Sequence, residues 1–184
     1  SHGSQITTGM TGLVSFKGNL YAWNYGGRNG ALDIRDSNLG KAQDLGNPNR
    51  TAWEQTTRAY LDTHQEINVV IWSWCGQVSS AAENDINTYL NLMSTLERDY
   101  PNVKFVYMTG HTDGTGLSGN LHIRNEQIRR YCIANNKILY DFEDIEIYAP
   151  DGRYFGDKNA RDDCSYSGGN WAIEWQNSHK EGID

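Results

Sequence analysis

An α/β fold with a mainly parallel sheet is the class this 184-residue sequence predicts, and three observations carry it. Apolar runs at 67–74, 102–110 and 137–142 are near-continuous, the pattern of strands buried on both faces. Between them lie two stretches with apolar residues at helical spacing. Strands that alternate with helices pair in parallel through right-handed crossovers. The length fits one domain, residues 1–184, with a polar and irregular C-terminal segment from about 150.

Taken in order, "ITTGMTGLVSF" predicts a short helix. "NLYAWNYG" and "ALDIRD" predict strands separated by the turn "GGRNG". "NPNRTAWEQTTRAYLDTH" predicts a helix with Pro48 near its start. The first strong strand is "INVVIWSW". The helix after it has Ser80 and Glu83 at capping-box spacing and an apolar face of Ala82, Ile86, Tyr89, Leu90, Met93 and Leu96. Pro101 ends that helix. "NVKFVYMTG" is the second strand, and the glycine-rich loop "HTDGTGLSG" leads to a helix with Leu121, Arg124/Asn125, Ile128 and Cys132 on one side. "KILYDF" is the third strand, and "NWAIEWQNSHK" predicts a short terminal helix.

The formal net charge of −7 argues against non-specific binding to nucleic acid or to an anionic membrane. No apolar run approaches the ~20 residues of a membrane span, so no membrane insertion is expected. Cys75, Cys132 and Cys164 are too few for a disulfide framework and lack zinc spacing. The acidic cluster Asp151, Asp157, Asp162 and Asp163 lacks the calcium-loop spacing, so neither a metal nor another cofactor is expected. Abundant Gly, Asn, Tyr and Trp with moderate charge suggest a secreted or cell-surface protein, and "NRT" at 49–51 is a formal glycosylation sequon.

Ligands of an open parallel sheet bind beyond the carboxyl ends of its strands. That rule selects Cys75, Gly76 and Gln77 after the first strand. It selects Thr109 to Asp113, including His111, after the second, and Glu143 and Asp144 after the third. Arg124 and Asn125 reach the same rim from the start of a helix, a position that favours anions. Their alternative is plain helix surface. Cys75 reads as a small buried hydrophobe, and His122 as exposed.

"SHGSQITTG", "INVVIWSWCGQ", "FVYMTGHTDG" and "GNLHIRNEQIRRYCIANNKILYDFEDIE" together resemble a bacterial branch of the SGNH (GDSL-like) hydrolases, over most of the chain and in order. The resemblance implies a flavodoxin-like three-layer fold, here with its first strand missing and the chain clipped at both ends. It implies a serine ester hydrolase acting on a small-molecule or glycan ester, such as an acylated carbohydrate. In such a mechanism an imidazole deprotonates a serine, and preorganised donors receive the oxyanion. Ser1 and Ser4 both fit the nucleophile position. Gly76 and Gln77 occupy the place of one oxyanion donor, and Gly46, with Gly40 as its alternative, supplies the backbone donor. The family's Asp-x-x-His motif is absent, and His179 is the one late histidine for the base. The alternative expectation is a non-catalytic module of the same fold that binds glycan through the His111 loop, or serves structure and assembly.

Overall fold

A computed structural model describes residues 2–36 and 40–179. The chain divides into two compact units, residues 1–38 with 172–184, and residues 39–171.

The first unit is built on α1 (His2–Lys17), and β1 (Trp23–Asn24) and β2 (Leu32–Asp33) pair in parallel within it. The helix extends further toward the N-terminus than its sequence predicts. Its threonine hydroxyls turn back on the helix itself: Thr7 Oγ1 donates to Gly3 O at 3.1 Å and Thr11 Oγ1 to Thr7 O at 2.9 Å. The two strands are shorter than expected. Asn24 closes the turn between them by accepting from the Arg28 N–H at 2.8 Å and donating to Arg28 O at 2.9 Å.

The second unit carries a three-stranded parallel sheet in the order β3 (Val69–Ile71), β4 (Lys104–Met108), β5 (Ile138–Tyr140). The crossovers are α3 (Glu83–Asp99) and α4 (Asn120–Ala134). α2 (Ala52–Leu61) precedes the sheet, and α5 (Phe142–Ile147) follows it. α2 starts four residues after Pro48 because Asn49 Oδ1 accepts from the backbone N–H groups of Thr51 and Ala52. At the start of α3 it is Asp85, not Glu83, that reaches back, accepting from the Ala82 N–H at 2.7 Å. Ala82 therefore stands outside the helix and is exposed, whereas Ile86, Tyr89, Leu90, Met93 and Leu96 are buried as the periodicity predicts.

The strands are not buried on both faces. Val70, Phe105 and Tyr107 are covered, but on the opposite face Val69, Ile71 and Ile138 are 53, 42 and 51% exposed, while Met108 at the end of β4 is buried. Strand order equals chain order, so two crossovers of the same hand place α3 and α4 on the same side, where they also pack on each other. The covered side holds an aromatic core. Trp74 meets Tyr89 edge-on at 5.2 Å, and Tyr89 meets Trp53 and Tyr107 at 5.9 and 6.0 Å between ring centroids.

The polar atoms within this core are mostly matched. Tyr89 Oη accepts from the Met108 N–H at 3.0 Å, and Trp72 Nε1 donates to Thr57 Oγ1 at 2.8 Å, whose own proton goes to Trp53 O at 2.7 Å. Thr57→Val leaves the buried Trp72 donor without an acceptor. We expect a loss of about 1–3 kcal/mol in urea unfolding, and a cost below about 0.5 kcal/mol would show that the bond contributes nothing.

The segment after residue 148 is more ordered than its composition suggests. Tyr148 and Tyr154 form a β-bridge, and β6 (Ser165–Tyr166) and β7 (Gly169–Asn170) form an antiparallel pair. α6 (Trp171–Ser178) begins with Trp171, which stacks on Phe155 and donates through Nε1 to Glu146 O at 2.8 Å. No described helix is long and apolar enough to cross a membrane.

Candidate functional site

The carboxyl ends of β3, β4 and β5 lie side by side, and the loops that leave them are locked together by side chains. Ser79 Oγ donates to Asp113 Oδ2 at 2.7 Å, which ties the segment after β3 to the loop after β4. Burial alone would raise the Asp113 carboxyl. Donation from Thr115 and Ser79 outweighs it and holds the group below the usual aspartate range. Asn125 is fully buried. It accepts from the Gly110 N–H at 2.8 Å and donates to Gly110 O and Glu143 Oε2, each at 3.0 Å. The sequence leaves two readings open, and Asn125 is buried beside Gly110 and is not helix surface. Arg124 donates to Gln127 Oε1 at 2.9 Å, and its buried Nε has no hydrogen-bond partner among the described residues.

The His111 loop is held down rather than open. His111 Nδ1 lies 2.8 Å from Thr112 O and 3.9 Å from Asp162 Oδ2. Thr112 donates both its N–H (2.6 Å) and its hydroxyl (2.9 Å) to Glu146 Oε2. The C-terminal segment covers the loop, with Asp113 bridged to Arg161 and the Gly114 N–H donated to Ala160 O at 3.0 Å. The cleft left between them, lined by Thr112, Asp113, Leu121, Glu143 and Ala160 among others, has a volume of about 10 Å³, room for one water and too small for an acyl group.

Gly46 and Gln77, both half-buried, meet beyond the end of β3. The loop that carries Gly46 is anchored by Leu45, which is fully buried and donates its N–H to Ser73 O at 3.0 Å. Gln77 is oriented by the Cys75 N–H, which donates to its Oε1 at 2.9 Å. The Gly46 N–H and Gln77 Nε2 then converge on a single oxygen, Asp44 Oδ1, at 2.7 and 3.1 Å, with Gln77 Nε2 also 3.3 Å from Oδ2. Two neutral donors at these distances from one anionic oxygen have the geometry that stabilises a developing oxyanion. A side chain at 46 would displace Gln77, because a Cβ there would stand 2.6 Å from Gln77 Cγ and 2.7 Å from its Cδ. We therefore expect Gly46→Ala to push Gln77 out of register. The loss is read as a changed side-chain amide signal of Gln77 in ¹⁵N–¹H spectra, with the rest of the spectrum unchanged. An unmoved Gln77 signal would disprove the contact.

Gly76 is exposed beside this pair, at the start of the 3₁₀ turn Gly76–Ser80. Cys75 is also exposed, which corrects its reading as a buried hydrophobe: β3 ends at Ile71, and the chain has already left the sheet at residue 75. Gly40 takes a φ of 127°, with its Cβ position against Thr56.

The remaining candidates sit in the first unit. Ser1 lies outside the described residues. Ser4 falls inside α1 rather than on a strand-to-helix turn, and its hydroxyl donates to Asp36 Oδ2 at 3.3 Å. His179 stacks on Trp175 at 3.6 Å between ring centroids, and its Nδ1 faces Trp175 O and Ser178 Oγ at 3.2 and 3.0 Å. A carboxylate that orients an imidazole is found instead at His122, whose Nδ1 lies 3.0 Å from the buried Glu143 Oε1. This pairing replaces the expected exposure of His122. Asp44, His122 and Glu146 are the residues sequence reasoning missed. The one local signal for Asp44 is its place two residues before Gly46, the spacing of an Asx turn.

Comparison of the chain with protein-family models, with curated proteins and with solved structures yields no match in any of the three.

Proposed function

We propose that this chain is a serine ester hydrolase of SGNH type, acting on a small-molecule or glycan ester, with Gly46 and Gln77 as its oxyanion donors. One observation carries the reading: the backbone N–H and the side-chain amide that the resemblance nominates converge on one carboxylate oxygen, that of Asp44. In this reading the reaction is acyl transfer. A serine near the N-terminus, Ser1 or Ser4, gives its proton to an imidazole, for which His179 is the candidate, and bonds to the ester carbonyl carbon. The C–O bond to the alcohol then breaks as the alcohol takes that proton, and water hydrolyses the acyl-serine. The negative charge that moves to the carbonyl oxygen is met by the Gly46 N–H and Gln77 Nε2 once the Asp44 carboxylate has released them. The flavodoxin-like three-layer architecture belongs to the same proposal, and the exposed apolar face at Val69, Ile71 and Ile138 is where its second helical layer would pack.

The engagement of His179 with Trp175 and Ser178 favours a second reading, a glycan-binding or assembly module without turnover. Hydrolysis of p-nitrophenyl acetate separates the two. The hydrolase reading expects turnover above the buffer rate, abolished by Ser4→Ala or Ser1→Ala. It also expects a reduction of about 10²–10³-fold in Gln77→Ala, the size of effect typical of one lost oxyanion donor. Background rates in every form of a folded chain would reject it and leave the binding module.

A further inference from the structure

We infer that Asp44 is a built-in occupant of the Gly46–Gln77 seat, and that the seat accepts a small carboxylate or an ester oxyanion when the Asp44 side chain leaves it. The inference rests on reading Gly46 and Gln77 as oxyanion donors and adds a gate to them. Asp44 Oδ1 takes the very hydrogen bonds that an incoming oxyanion needs, from the Gly46 N–H at 2.7 Å and from Gln77 Nε2 at 3.1 Å. A carboxylate oxygen and a tetrahedral oxyanion present the same chemistry to these donors, so the two compete for one position.

Groups other than Asp44 also hold the donors. Gln77 is oriented by the Cys75 N–H, and Gly46 is set by the buried Leu45 beside it and by its close packing on the Gln77 side chain. Asp44 itself is only half-buried, so rotation about its Cα–Cβ bond delivers the carboxylate to solvent without opening the core. The seat is therefore self-occupied. Its resting state is closed by a residue of the same loop, and a ligand gains access by displacing an internal anion rather than by remodelling the rim.

Acetate is the test ligand because it reproduces the end of the aspartate side chain. It is titrated against the whole chain as wild type, Asp44→Ala and Asp44→Asn, with the Gly46 amide and the Gln77 side-chain amide followed in ¹⁵N–¹H spectra. We expect saturable shifts of both signals in Asp44→Ala, weaker ones in Asp44→Asn, where a neutral amide oxygen still competes, and none in the wild type. Equal responses in all three forms, or no response in a folded Asp44→Ala, would overturn the inference. If Asp44→Ala fails to fold, Asp44→Asn, which can keep the turn, decides on the same criterion. Ester turnover is measured separately and is expected to rise by about tenfold in Asp44→Asn. Acetate binding to Asp44→Ala without turnover in any form would reject the hydrolase reading and leave the gate standing.

Discussion

Glu146→Gln should flatten the dependence of stability on pH and stabilise the protein in mild alkali. Glu146 is 4% exposed, and burial is the main force that raises its carboxyl, to about 8. The two hydrogen bonds from Thr112 oppose that rise, and the nearby Asp162 and Glu143 add to it. In the unfolded chain the same group titrates near its ordinary value of 4.5. Between those two values the folded state holds a proton that the unfolded state has released, so the unfolding free energy falls as pH rises. The contribution is complete below about pH 4.5 and gone above about pH 8, with a span on the order of a few kcal/mol. Glutamine is neutral throughout and still accepts from Thr112. Thermal unfolding of the variant should therefore lose the downward slope over this window, and its Tm at pH 8.5 should exceed that of the wild type by at least about 3 °C. Parallel Tm profiles for the two proteins would rule the argument out.

The second large effect belongs to Arg129. Its guanidinium is held by Asp141 Oδ2 at 2.6 Å, by Glu143 Oε2 at 2.9 Å and by Glu126 Oε1 at 2.8 Å. Despite the cost of burial, these partners keep its pKa above the ordinary arginine value. Glu143 has a side chain only 4% exposed, so it depends on Arg129 for a permanent positive partner. Removing one member of a buried ion pair costs about 3–5 kcal/mol, largely because the other charge stays behind. Arg129→Met should show a loss of that order in denaturant unfolding. Adding Glu143→Gln to it should recover part of the loss, because the stranded charge is then gone as well. A single-variant cost below about 1 kcal/mol, or no recovery in the pair, would mean that solvent screens this cluster far more than its burial implies.

Both effects arise from α5, an element that the sequence does not announce. "FEDIEI" reads as the end of a strand followed by acidic loop residues, yet it folds as a helix capped by Asp141, which accepts from the Asp144 N–H at 3.3 Å. Glu143 and Glu146, three residues apart on one helical face, then both turn inward. Acidic residues carry no periodic hydrophobic signal, so their burial becomes visible only when Thr112, Asn125, His122 and Arg129 arrive from distant parts of the chain to satisfy them.

What the sequence determined alone is the order of strand and helix in residues 67–140 and most of the inward face of the two crossover helices. Leu121, Ile128 and Cys132 are buried at the spacing their periodicity predicts, and of the pair Arg124/Asn125 it is Asn125 that is buried. These features depend on neighbours within a few turns, and a period of 3.6 or 2 is written locally. The tertiary structure decided the rest. It left one sheet face exposed, because helix placement follows from crossover handedness and strand order together, and apolar runs alone do not encode that combination. It also brought Asp44 to Gln77 across 33 positions and His122 to Glu143 across 21. Hydrogen bonds between side chains so far apart are created by packing, and no local pattern along the chain marks them in advance.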